Sequence, residues 1–142
     1  MKRINHLLLI FIAIVTTLPA FSQEASQSTL DKRERKRNMT VKEWNTNVGK
    51  EVPFLDHVTT YNGYGQKIEE IEYATYGQKS RITFEYQDST SKCIREVEYN
   101  DRDKVVRIRK IEYYEDGTKK KQYNYYPNGK LESVKDYEYI FK

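Results

Sequence analysis

The amino-acid sequence predicts a mainly β protein, an antiparallel meander of about seven strands with one short N-terminal helix. The first observation behind this prediction is a recurring phrase made of a bulky residue, a polar residue and a tyrosine. Its tyrosines follow one another at intervals of 13, 13, 14, 12 and 14 residues. Such a period is typical of a chain in which each repeat supplies one structural unit. The six copies are Ile71–Tyr73, Phe84–Tyr86, Val97–Tyr99, Ile111–Tyr113, Tyr123–Tyr125 and Tyr137–Tyr139.

The second observation is strict alternation between turn signals. In residues 81–86 the apolar residues occupy even positions and the polar residues odd ones, which indicates a strand with one buried face. Asn128-Gly129 supplies the positive φ of a tight turn. Parallel neighbours would need a crossover of about a dozen residues, whereas only a few residues separate these segments. We therefore expect a twisted single sheet or open roll of antiparallel strands near residues 57–62, 67–75, 80–88, 92–100, 105–115, 119–127 and 131–141.

The expected register decides what the two faces carry. If the turn after Ile71 centres between Tyr76 and Gly77, Ile71 faces Ile82, and tyrosines of alternate strands form two staggered rows near opposite ends. One face then gathers the aromatic and aliphatic residues. It forms either a core, covered by the sheet's own coiling and by Trp44, Phe54 and Leu55, or a part-open groove suited to sugar rings or a protein. The other face is expected to carry the solvated charges Glu72, Glu85, Glu98, Glu112, Glu138, Arg81, Lys110 and Asp136.

The first 22 residues have the layout of a secretory signal peptide. Lys2 and Arg3 precede an apolar run over residues 7–15, and small residues follow. We expect cleavage after Ser22 and export to the periplasm, cell surface or medium. A membrane anchor is the alternative, but the run is shorter than the ~20 residues that a span needs. No stable membrane span is therefore expected after processing.

Two segments precede the repeats, which we place at residues 57–141 of a domain over 40–142. Residues 23–39 are polar, with five basic side chains within 31–37, and are expected to form a disordered basic linker. Residues 40–43, Thr-Val-Lys-Glu, have the spacing of a helix capping box. They predict the short helix at 41–47.

Composition limits the classes of function. The net charge of +4 falls to +2 without residues 1–22, and the repeat body is nearly neutral, so no nucleic-acid partner is expected. Cys93 is the only cysteine, which excludes a disulfide within one chain. His57 is the only histidine beyond the signal peptide, so no multi-histidine metal site can form. We expect no cofactor, and we interpret Asp56 and His57 as structural and the protein as non-enzymatic.

The last turns carry a resemblance to known repeats. Residues 113–119 (Tyr-Tyr-Glu-Asp-Gly-Thr-Lys) and 125–131 (Tyr-Tyr-Pro-Asn-Gly-Lys-Leu) resemble the Tyr-x-x-Asn-Gly-Lys units of YD/Rhs-like repeats and of MORN-repeat variants. The resemblance covers residues 58–141, although the units at 86–105 lack the turn glycine. It implies a chain of β-hairpins such as secreted, surface, toxin-shell and antitoxin-like proteins contain.

These observations favour an exported binding module that presents a tyrosine-rich sheet to a protein, glycan or envelope partner. Tyrosines at or beside the turns are the expected contact residues, because they are predicted to be more exposed than those inside the phrases. Two alternatives remain: a structural element that self-associates through its edge strands, and a secreted inhibitor or immunity-type protein. The candidate contact residues are Tyr64, Tyr76, Tyr114 and Tyr126.

Overall fold

A computed structural model describes residues 27–141, so the predicted signal peptide lies outside the described residues. These residues form one eight-stranded sheet in which every strand pairs antiparallel with its neighbours in the chain. The elements are α1 Gln27–Glu34, β1 Thr40–Asn45, β2 Phe54–Tyr61, β3 Lys67–Ala74, β4 Gly77–Tyr86, β5 Cys93–Tyr99, β6 Val105–Tyr113, β7 Lys119–Tyr125 and β8 Leu131–Asp136. The predicted antiparallel meander is confirmed, with eight strands where about seven were expected, and residues 27–141 contain one short helix.

The strand that was not predicted is β1, and it occupies residues that were expected to form a helix. The expected helix at 41–47 is wrong: this segment is β1, and it pairs with β2 from Thr40 opposite Thr60 onward. The capping-box signal is outweighed because Thr40 and Val41 are β-branched residues that suit a strand, and a free edge of β2 satisfies their backbone groups. The helix is instead α1, which lies within the linker that was predicted to be disordered.

Every hairpin contains a shift of pairing register close to its turn, caused by one extra residue near the start of its second strand. Tyr73 pairs with Gln78 while Glu72 pairs with Ser80, so Lys79 is an extra residue in β4. Such a β-bulge bends the strand and increases its twist. It follows the turn in each of the seven hairpins. The extra residues are Asp56, Ile68, Lys79, Ile94, Val106, Lys120 and Glu132.

The bulge makes the predicted faces wrong. Ile71 lies opposite Arg81, not Ile82, and Ile82 lies opposite Glu70 and Glu98. A slip of one residue moves every side chain of a strand to the other face. Successive phrases therefore alternate between two mixed faces. We call the face of Val97, Thr83 and Ile108 face 1 and the face of Phe84, Glu96 and Arg109 face 2.

The turns divide the sheet into two ends. At one end lie the turns at 62–66, 87–92 and 114–118, and α1 packs there; we call it the helix end. The turns at 75–76, 100–104 and 126–130, and the connection from β1 to β2, lie at the far end.

The sheet is a single layer with little core. Among the described hydrophobic residues only Val97, on face 1, and Ile111, on face 2, are buried. Trp44 is 59% exposed, so the expected cover of one face by Trp44 is wrong. Within residues 27–141 we find no helix of the length and apolarity that a membrane crossing requires.

Candidate functional site

All four candidate tyrosines are exposed, but the fold does not bring them together. Tyr64 and Tyr114 lie at the helix end, and Tyr76 and Tyr126 lie at the far end. Their exposed fractions are 58%, 42%, 71% and 47%, respectively. Within each pair the turns are four strand spacings apart, which is about 19 Å. The structure thus offers two separate pairs of equal span.

Four turns share one geometry, and three of them carry a candidate tyrosine: Tyr64, Tyr114 or Tyr126. In the turn 114–118 the amide of Tyr114 donates to the carbonyl of Thr118 at 2.8 Å, and Gly117 donates back to Tyr114 at 3.0 Å. Gly117 has φ +86°. The turns at 62–66, 100–104 and 126–130 repeat both bonds. Where the repeat lacks glycine, Asp103 takes the same position with φ +55°, because a short polar side chain tolerates the left-handed region.

The tyrosines at the ends of β2 to β7, with Tyr137 directly after β8, form two rows, as predicted for the phrase tyrosines, and the rows also lie on opposite faces. The strand alternation places the helix-end row on face 2 and the far-end row on face 1. All seven rings are half-buried. The helix-end row comprises Tyr61, Tyr86, Tyr113 and Tyr137, and the far-end row comprises Tyr73, Tyr99 and Tyr125. Tyr139, which ends the last phrase, lies beyond β8 and is exposed.

A polar clamp holds neighbouring turns together at the helix end. The Gln66 side chain is 5% exposed and donates to the carbonyl of Asp88 at 3.0 Å and to that of Thr90. The Arg33 guanidinium, from α1, donates to the carbonyls of Ser89 and Thr90. The clamp fixes the spacing between the first two helix-end turns and docks α1 onto them.

Two shallow cavities lie beside the helix-end row. The first, of about 550 Å³, has Ile68, Phe84 and Tyr86 in its lining and Tyr64 at its rim. The second, of about 380 Å³, lies toward β7. Its lining is Gln87, Lys92, Ile94, Ile111, Glu112, Tyr113, Tyr114, Glu115 and Lys120. Two cavities, the first mainly apolar and the second mainly polar around Ile94 and Ile111, therefore lie at one end of face 2 between the exposed Tyr64 and Tyr114.

Burial changes the acidity of the groups between the two cavities. Desolvation, reinforced by the neighbouring Cys93 and Glu96, raises the pKa of Tyr86 to about 12, and the same causes raise the pKa of Tyr113 to about 12. The Tyr113 hydroxyl donates to the carbonyl of Cys93 at 2.8 Å. Burial also raises the pKa of the Cys93 thiol. These groups stay neutral near pH 7, and the thiol is a poor nucleophile because little of it is thiolate.

Ion pairs occupy both faces, contrary to the prediction of one charged face. On face 2, Arg109 bonds Glu96 at 2.9 Å and Glu98 at 3.1 Å. On face 1, Arg81 bonds Glu69 at 3.3 Å and stacks 4.0 Å from the ring centre of Tyr99. Sequence reasoning missed these pairs. The signal that could have found them is the cross-strand register, which the bulges shift by one residue.

The predicted structural pair lies at the extra residue of β2. Nδ1 of His57 is 3.2 Å from a carboxylate oxygen of Asp56, and both side chains are about one-third exposed. In the described part of the chain, 27–141, there is no group of three or more His, Cys, Asp and Glu residues that could hold a metal ion.

Comparison with known proteins adds no family to this description. No protein-family model and no curated protein matches the chain. Inferences about function therefore rest on the helix-end surface itself.

Proposed function

We propose that the protein is an exported, non-enzymatic binding module that holds a protein partner across the helix end of face 2. The observation that carries this proposal is the pair of adjacent cavities, one mainly apolar and one lined by Ile94, Ile111 and charged side chains, bracketed by Tyr64 and Tyr114. Aromatic residues are enriched at protein interfaces, where a flat apolar ring and a hydroxyl tip serve together.

The chemistry of the rim supports a protein partner. Asp88, Lys92, Glu115 and Lys120 surround the apolar residues of the two cavities with charges of both signs. A polar rim around an apolar centre is the usual anatomy of a protein interface. The clamp at Gln66 and Arg33 keeps the helix-end turns in place, so binding requires little ordering of the surface. In an inhibitor or immunity-type role, the bound protein would be an enzyme.

The experiment compares the two tyrosine pairs, which share residue type and spacing. The immobilised protein is incubated with the exported fraction of the producing cells, and retained material is identified and its affinity measured. We expect Tyr64→Ala with Tyr114→Ala to weaken retention about tenfold or more. The matched control, Tyr76→Ala with Tyr126→Ala, should retain the partner normally.

Two results would overturn the proposal. Equal retention by both double variants would exclude the helix-end tyrosines as contacts. Loss of retention only in the control would move the site to the far end. If glycosidase rather than protease treatment abolishes retention, the partner is a glycan and the protein-partner proposal is wrong.

A further inference from the structure

Both edges of the sheet are open in residues 27–141. β1 pairs only with β2, and β8 pairs only with β7. All six residues of β8 and five of the six in β1 are exposed. Unpaired strand edges are templates for pairing with another chain. The even number of strands makes β1 and β8 run in opposite directions, so a second copy placed edge to edge continues the antiparallel order.

We propose that β8 of one copy pairs with β1 of the next, with Asp136 opposite Lys42, and joins copies head to tail into one continuous sheet. This assembly uses the two edges and leaves the helix-end surface open, so it is independent of the proposed binding function.

The hydrogen-bonding phase of both edges permits this pairing. Thr40 lies opposite Thr60, and the amide of Tyr61 donates to the carbonyl of Met39 at 2.9 Å. The alternation of an antiparallel ladder therefore turns the backbone groups of Lys42 and Trp44 outward. At the other edge, the amide of Tyr137 donates to the carbonyl of Lys120 at 3.1 Å, beside the pair Lys121 and Asp136. The backbone groups of Val134 and Asp136 thus also point outward.

The side-chain faces restrict the register. Lys42 and Trp44 belong to face 1, because Lys42 pairs with Val58 and Val58 with Ile71. Val134 also belongs to face 1, because it pairs with Tyr123. A continuous sheet keeps its faces, so the allowed registers differ by steps of two residues.

One of these registers matches side chains at four consecutive positions. On face 1 it places Asp136 opposite Lys42 and Val134 opposite Trp44. On face 2 it places Lys135 opposite Glu43 and Tyr137 opposite Val41. Opposite charges and aromatic–aliphatic pairs placed directly across two strands stabilise a sheet.

The competing arrangements lack this complementarity. A shift of two residues one way sets Val134 against Lys42, and a shift the other way sets Asp136 against Trp44. Two β1 strands related by a two-fold axis centred on Lys42 or Glu43 place that residue opposite its own copy, and an axis centred on Val41 or Trp44 gives neither charge an oppositely charged partner. Two β8 strands centred on Val134 place Glu132 opposite Asp136. The head-to-tail contact is heterologous, and such contacts build open chains or rings of copies.

The test reverses the charges of the face 2 pair, because Asp136 also bonds Lys121 within its own sheet at 2.9 Å. Glu43→Lys sets two lysines opposite each other at the contact, and Lys135→Glu sets two glutamates. We expect each variant to weaken self-association about tenfold in sedimentation velocity as protein concentration is raised. Mixed in equal amounts, the two variants should recover wild-type association, because every contact then pairs a lysine with a glutamate.

A backbone variant provides the second arm. Val134→Pro removes an outward amide without removing a bond to β7, so it should block assembly while the melting curve by circular dichroism stays close to wild type. A wild-type protein that remains monomeric at all concentrations overturns the proposal. So does a mixture of charge variants that associates no better than either variant alone.

Discussion

The tetrapeptide Tyr-Gly-Gln-Lys occurs twice, at 64–67 and at 76–79, and the fold places the two copies at opposite ends of the sheet. In both, the glutamine reaches the turn two strands further on. Gln66 bonds backbone carbonyls of the turn at 87–92, and Gln78 bonds the carbonyl of Asn100 at 3.3 Å and the carboxylate of Asp103 at 3.0 Å.

The two copies differ in what covers them. A Cβ on Gly65 would lie 2.0 Å from the carbonyl oxygen of Arg33, whereas one on Gly77 would have nothing within 4 Å. Gln66 is buried, and Gln78 is only half-buried. Identical sequence therefore supports a docked helix and a buried clamp at one end and an open turn at the other. How much this tetrapeptide contributes to the free energy of unfolding therefore depends on what packs against it, which at the helix end is α1.

The largest expected difference comes from adding a methyl group to each glycine. Gly65→Ala has to strain φ +68° and displace the backbone of α1, so we expect a loss of about 2–4 kcal/mol in the free energy of unfolding. Gly77→Ala strains φ +119° without a clash, and about 1–2 kcal/mol is expected. Urea denaturation measures both values.

Hydrogen exchange separates the two causes of that loss. Amides of residues 27–37 should lose protection in Gly65→Ala and keep it in Gly77→Ala, because only the first substitution undocks α1. Equal protection in the two variants would contradict the claim that Gly65 is required for close approach of the helix.

The sequence predicted the meander well because alternation and turn residues are local signals. Helix docking on Gly65 could not be predicted, since it joins α1 to a turn some 30 residues later through contacts that leave no periodic pattern. The turn tyrosines are more exposed than the phrase tyrosines, as expected, with the exception of Tyr139, which matches Tyr114 at 42%. The division of the turn tyrosines between two ends was not recognised, although the antiparallel order that causes it was predicted. The sequence did not predict that apolar and charged residues share both faces. This arrangement depends on the β-bulges, and the alternation of apolar and polar residues does not show where a bulge adds a residue.

Removal of the two glutamine amides should give a smaller difference. Gln66→Ala removes a buried side chain together with its part-buried hydrogen bonds to the carbonyls of Asp88 and Thr90, so we expect a loss of about 2 kcal/mol in the free energy of unfolding. Gln78→Ala should cost about 0.5–1 kcal/mol, because water can replace its bonds at the more exposed far end. Thermal and urea denaturation of the two variants provide the measurement. A larger loss for Gln78→Ala than for Gln66→Ala would contradict the claim that the glutamine at the helix end contributes more stability.

The last predicted effect is a loss of folding stability that arises at the helix end. It is absent at neutral pH and appears only in alkali. The pKa of Tyr86 and that of Tyr113 are raised to about 12 in the folded protein, from about 10 in the unfolded chain. Between these values the unfolded chain releases protons that the folded protein keeps. The stability contribution is therefore complete below pH 10 and is lost as pH rises toward 12.

Absorbance of phenolate during an alkaline titration tests this assignment directly. The wild type should show a late ionisation step near pH 12 that shrinks in Tyr86→Phe and again when Tyr113→Phe is added. Tyr76→Phe, whose ring is 71% exposed at the far end, is the matched control for the loss of one tyrosine from the total absorbance. If the late step survives both helix-end substitutions, the half-buried tyrosines of face 2 are more accessible to water than the folded sheet implies. The contrast between the two ends would then rest on the docking of α1 alone.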